Sequence, residues 1–234
     1  SPAKVSAFDA KAVVSVASPA PARGAPRSMF EAFTPGMVLF SILFIVPQTA
    51  LLAGRERRLG TLQRLRLTRM TALDYLGGLT ASQLVTAALQ LLVMLCASAL
   101  MGFVSRGSLW LALVVLLVAA LSSIGFGMLV ACFVRDDSQA INVGSAVTMV
   151  QVMLSGVFFP VPTPTLVTVA GHQLGVLDLL PATHAMLAAQ QVMCFGASLA
   201  DVGFRLICLT SLSVALFFAG VALFQRRAMS ARQA

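Results

Sequence analysis

Arg55-Glu56-Arg57-Arg58-Leu59-Gly60-Thr61-Leu62-Gln63-Arg64-Leu65-Arg66 separates two long stretches, 33–54 and 78–103, in which no residue carries a charge. A bilayer's hydrocarbon core needs roughly 20 apolar residues of helix at about 1.5 Å rise each. Both stretches are long enough, and the arginines between them are too many for a buried turn. Three further apolar runs follow at 109–134, 140–159 and 204–225, the last with Arg205 at its edge. The pattern predicts an all-α fold: a polytopic transmembrane helical bundle of five spans, with a basic loop over 55–74.

Composition agrees. Apolar residues make up 59% of the chain and charged residues 10%, and mean hydropathy is +0.93, values foreign to a soluble domain. The net charge of +8 sits in short segments between apolar runs, so it reads as a topology signal in a lipid bilayer rather than a nucleic-acid surface. Cys96, Cys132, Cys194 and Cys208 have neither metal-ligand nor disulfide-framework spacing, so no metal site is expected. The chain opens on Ser1-Pro2 and an Ala/Pro-rich stretch, 1–32, which reads as the extracytoplasmic remnant of a longer protein. Residues 228–234 read as a tail.

Orientation follows from the Lys/Arg bias. Six arginines (Arg55, Arg57, Arg58, Arg64, Arg66 and Arg69) crowd one short loop, and Arg135, Arg226, Arg227 and Arg232 fall on the same side of a five-span chain. That side is predicted to be cytoplasmic, with the amino end outside, the carboxyl end inside, and the cell (inner) membrane as location. Segment 160–203 opens with Pro160-Val161-Pro162-Thr163-Pro164 and contains Pro181. It is too apolar for a solvated loop and too broken for a span, so a pair of short re-entrant or interfacial helices on the outer side is expected.

No Asp, Glu, Lys or His lies inside a span, which argues against a proton-coupled carrier and against intramembrane hydrolysis. The polar residues there are uncharged. Gly144, Thr148, Gln151 and Ser155 share one face of the fourth span, and Gln83, Thr86 and Gln90 share one face of the second. Such faces serve helix packing, or form a subunit interface or pathway wall. Pro47 removes a backbone donor in mid-span, so it should kink the first span, with Gln48, Thr49 or a neighbouring helix serving the freed carbonyl. Gly125 and Gly127, with Ser122 and Ser123, mark a candidate hinge in the third. His184, close after Pro181, reads as a helix-start or hydrogen-bonding residue rather than a ligand. The P-loop pattern is absent: both lysines, Lys4 and Lys11, precede the first span. Uphill transport would need work from another polypeptide.

Several motifs, read in order, resemble the membrane subunit (permease) of type 2 ABC exporters. They are Phe33-x-Pro35-Gly36, Glu56-Arg57-x-x-Gly60-Thr61-x-x-x-Leu65, and Gly125-x-Gly127 followed by Asp137-x-Gln139-Ala140. Leu154-Ser155-Gly156-x-Phe158-Phe159-Pro160-x-x-x-Pro164 and Leu180-Pro181-x-Thr183-His184 complete the set. The resemblance covers most of 33–227, a carboxyl-terminal portion, since the family carries a first span ahead of this region. Two departures are Gln63, where the family often has an acidic residue, and Thr68-Arg69, where it often has Thr-Pro.

The resemblance implies a transport subunit, not an enzyme, that dimerises with itself or a second permease and pairs with a separate ABC ATPase subunit. It implies that Glu56, Arg57, Gly60, Thr61 and Leu65 contact that ATPase. ATP and magnesium would then act only through the partner, with no cofactor bound by this chain. Two other classes stay open: a membrane-embedded enzyme using His172 or His184 on the outer face, and a non-transporting anchor for an ATPase.

Overall fold

The computed structural model describes residues 29–58, 72–158, 165–169 and 172–230. Helices α1 (Met29–Leu43) and α2 (Ile45–Arg58) form one interrupted rod, followed by α3 (Ala72–Leu100), α4 (Leu109–Ala131) and α5 (Asp137–Leu154). A small hairpin, β1 (Thr165–Val169) and β2 (His172–Gly175), leads through a 3-10 turn at Val176–Leu179 into α6 (Pro181–Phe195) and α7 (Leu199–Ser230).

The boundaries have local causes. Ser108 caps α4 by accepting from the Leu111 amide at 3.4 Å, and Asp136 caps α5 by accepting from the Gln139 amide at 2.7 Å. Pro181 opens α6, where its missing N–H costs nothing, and Gly196 closes it with a left-handed φ of 67°. The α1–α2 rod breaks at Phe44, one turn before Pro47, because the proline offers no amide to the carbonyl four residues back.

Helix α4 lies at the centre and packs on every other helix. Its small residues allow this: Ala112, Ala119, Ala120, Ser122, Ser123, Gly125 and Gly127 are all buried. Gly125 faces the α7 backbone, where an added Cβ would sit 2.9 Å from the Phe217 Cα, while Gly127 faces α2, 2.5 Å from the Thr49 Cβ. The candidate hinge at Gly125 and Gly127 shows no bend in this structure. Helix α4 runs unbroken through both glycines, which serve close approach on two faces rather than bending.

Four helical stretches are long and apolar enough to cross a membrane: Met29–Glu56, Asp74–Leu100, Leu109–Ala131 and Leu199–Arg226. The expected count of five is corrected to four among the described residues. Helix α5 falls short because its 18 residues include Asp137, Gln139, Asn142 and Gln151. It nevertheless lies antiparallel against the α1–α2 rod, with Asp137 at Arg55, Gly144 at Pro47, Thr148 at Leu43 and Phe158 at Phe40.

A second correction concerns segment 160–203. In place of the expected pair of short helices, its described residues hold the antiparallel hairpin, with Thr168 opposite Gln173 and Val169 opposite His172, a 3-10 turn and one α-helix, α6. The β-branched alternation Thr165-Leu166-Val167-Thr168-Val169 favours extended backbone over helix.

Candidate functional site

Several of the buried polar groups lie on α5 or along the seam where it meets the α1–α2 rod. At one end, α2 brings Arg55 and Arg58 onto the same face, three residues apart. Both reach Asp137 in the first turn of α5: Arg55 Nε donates to Oδ2 at 2.5 Å, and Arg58 Nη2 donates to Oδ1. Asp136 does the capping, so the Asp137 carboxylate is free for the arginines. Beside this clamp, Glu56 Oε2 and Arg58 Nη1 are buried without a hydrogen-bond partner among the described residues.

Midway along the seam, the Leu43 carbonyl is the one Pro47 cannot serve. Thr148 Oγ1, from α5, donates to it at 3.1 Å. Gly144 makes the approach possible: a Cβ there would lie 2.6 Å from the Pro47 Cα. On the other side of α2, Gln83 of α3 donates through Nε2 to Thr49 Oγ1 at 2.9 Å. Helices α3, α4 and α5 thus meet α2 around one kinked turn. Further along, Gln151 of α5 and its C-cap residue Ser155 are 3% and 4% exposed, and neither side chain has a partner among the described residues.

At the opposite end, Arg106 of the α3–α4 turn pairs with Glu31 of α1 at 3.5 Å and donates its amide to the Met193 carbonyl of α6 at 3.0 Å. Cys194 donates from Sγ to the Glu31 carbonyl at 3.2 Å, and burial, aided by the Glu31 carboxylate, pushes its thiol up to about 11. His184 is buried in the first turns of α6, its Nε2 2.8 Å from the Asp178 carbonyl, while Nδ1 has no partner. Burial holds this imidazole below its ordinary value and so neutral, against the opposing pull of the Asp178 carbonyl and charge.

The residues singled out in the sequence therefore scatter over three levels. Gly144, Thr148, Gln151 and Ser155 keep their shared face, and that face is buried within this chain, with its inner half packed on the kink. Gln83 joins the same junction, whereas Thr86 bonds to its own helix through the Ser82 carbonyl, and the Gln90 Oε1 is buried and unpaired. Glu56 sits in the last turn of α2. The Arg57 side chain and Gly60, Thr61, Leu65 and Pro160 lie outside the described residues, as does the His172 side chain.

The Arg55/Arg58–Asp137 clamp and the Glu31–Arg106 pair escaped the sequence reading. A signal for the first existed: Arg55 and Asp137 fall on the same side of any bundle in which α3 and α4 traverse it once each.

Long apolar helices whose charged residues, among those described, lie toward the helix ends define a multi-pass membrane protein. The chain belongs to the family described as ABC-2 family transporter protein, which matches residues 5–223, nearly the whole chain. No curated protein and no solved structure matched it. Family membership makes the chain a membrane permease subunit of an ABC transporter.

Proposed function

We propose that this permease is driven by a separate ABC ATPase subunit that docks on the arginine end, and that it exports its substrate. In this reading the arginine end is cytoplasmic, as the crowding of arginines there favours, and the opposite end, with α6 and the hairpin, faces outward. Segment 55–74 is the coupling element, with Glu56, Arg57, Gly60, Thr61 and Leu65 at the contact. A second permease copy or a related chain completes the pathway, and ATP and magnesium act only in the partner.

The observation that carries the reading is the state of the last turn of α2. Among the described residues, Glu56 Oε2 and Arg58 Nη1 are buried with no hydrogen-bond partner, in a helix strapped to α5 through Arg55 and Arg58. Buried polar atoms left unpaired are costly, so this turn would gain from a rearrangement that turns them toward a docking partner.

Co-purification tests it. The chain is expressed beside its host's ABC ATPase subunits, extracted in detergent, and assayed for the ATPase it retains. Native chain should hold an ATPase that Glu56→Ala and Gly60→Trp release while remaining folded. Retention of the ATPase without stimulation by any transported compound would favour an anchor instead. A folded preparation that holds no ATPase would end the coupling reading.

A further inference from the structure

We infer that Asp137 is a positioning residue that makes α2 and α5 move as one body, so that a displacement of the arginine end is carried directly into α5. This rests on the proposed ATPase coupling and adds to it the route of transmission.

An acidic residue in a helix's first turn ordinarily complements the helix dipole or caps the end. Asp136 already fills that role, since its side chain accepts from the Gln139 amide, and the Gln139 Oε1 accepts from the Arg135 amide at 2.6 Å. The carboxylate of Asp137 is surplus to helix initiation. Both of its oxygens are instead taken by guanidinium groups from a helix some 80 positions earlier in the chain. Charge-assisted bonds to both oxygens fix direction as well as distance.

The clamp acts together with two contacts further along the seam. Gly144 lies backbone-close to Pro47, and Thr148 holds the Leu43 carbonyl. Of these three attachments at successive levels, the ionic and the steric one tie α5 to α2 and the hydrogen bond ties it to the last residue of α1, so together they oppose sliding of α5 along the rod. Arg55 and Arg58, at the start of the coupling element, therefore turn onto α5, and the first turn of α5 becomes an extension of that element. Gln151 and the C-cap residue Ser155, without side-chain partners among the described residues, lie about one and two turns beyond Thr148, the last of these attachments. Whatever shifts α2 at its arginine end also moves those two buried polar side chains.

The test uses the permease with its co-purified ATPase in lipid nanodiscs, read by hydrogen–deuterium exchange with and without Mg-ATP plus orthovanadate. Asp137→Asn removes the charge and leaves the Asp136 cap in place, so α5 should still begin normally. At rest, amides 138–144 should exchange about five- to tenfold faster in Asp137→Asn than in native chain, the range expected for losing two partly exposed charge-assisted bonds. On trapping, native complex should change exchange in both 45–58 and 137–144. Asp137→Asn should keep the change in 45–58 and lose it in 137–144, and Asp137→Glu should restore it. ATPase binding should be unaffected by either substitution.

A trapped Asp137→Asn complex whose 137–144 segment responds as the native one does would overturn the inference while leaving coupling intact. Unchanged resting exchange in Asp137→Asn would overturn it equally. A native chain that retains no ATPase would instead bring down the coupling reading, and the inference with it, an outcome visible before any variant is made.

Discussion

Leu43 loses its helical donor because Pro47 has none, and Thr148 of a different helix supplies one. A lone carbonyl in an apolar interior costs about 1–3 kcal/mol, so the hydroxyl at 148 matters more than its bulk. Thr148→Val, which keeps the shape, should lower stability by about 1–2 kcal/mol. Thermal unfolding in a fixed detergent would record it, with Thr148→Ser close to native; equal midpoints for all three would mean that the carbonyl has another donor. At His184 the folded imidazole titrates below its unfolded value near 6.5. As pH falls below that value the unfolded chain takes up the proton first, so stability is complete above about pH 6.5 and is lost progressively toward the folded value. Thermal midpoints measured from pH 8 down to pH 5 should fall in native protein and fall less steeply in His184→Gln; parallel curves would remove His184 as the source.

Helix α4 can touch all its neighbours only because its contact positions are small. At Gly127 an added methyl would meet the Val46 carbonyl oxygen at 2.8 Å as well as the Thr49 side chain. Backbone cannot rotate out of the way, so Gly127→Ala should push α2 off α4 and cost about 1–3 kcal/mol, the usual penalty of overpacking. Gly78 of α3 is the matched control, since nothing lies within 4 Å of a Cβ there. Gly78→Ala should be neutral or stabilising by up to about 1 kcal/mol through helix propensity. Melting curves of the two variants should move in opposite directions or, at least, only the first should fall. The same crowding explains why the Gly125–Gly127 cluster looked like a hinge in the sequence: glycine pairs mark bends in isolated helices and close crossings in packed ones, and only neighbours distinguish the two.

At the scale of the molecule, the charged residues among those described lie toward two ends. Arg55, Arg58 and Asp137 lie at one, and Glu31, Arg106 and Asp178 at the other, with Ser138 and Ser198 exposed at the respective ends. In a background without Cys96 and Cys208, a membrane-impermeant maleimide added to intact cells should label Ser198→Cys. It should reach Ser138→Cys only after permeabilisation. The reverse pattern would invert the assigned orientation, and labelling of both from outside would mean that α5 does not start at the inner surface. This measurement also bears on α5 itself, whose polar residues keep it out of the set of fully apolar helices although it lies alongside the α1–α2 rod.

Sequence alone determined the medium, the helical class and the family motifs, because a bilayer imposes long uncharged runs whose length and flanking arginines are readable residue by residue. It also marked Pro47 as a break and Thr148 as part of a polar stripe. It could not join the two, since nothing in a linear pattern states which helix lies against which, or in what register. Tertiary structure decided that Thr148 serves the Leu43 carbonyl, that Arg55 and Arg58 close on Asp137, and that Gly125 and Gly127 press against different helices. It also decided that Thr165–Val169 and His172–Gly175 pair as antiparallel strands. Each of these depends on contacts between residues far apart in the chain, and such contacts are set by the packing of small residues and the pairing of buried polar groups, not by local periodicity.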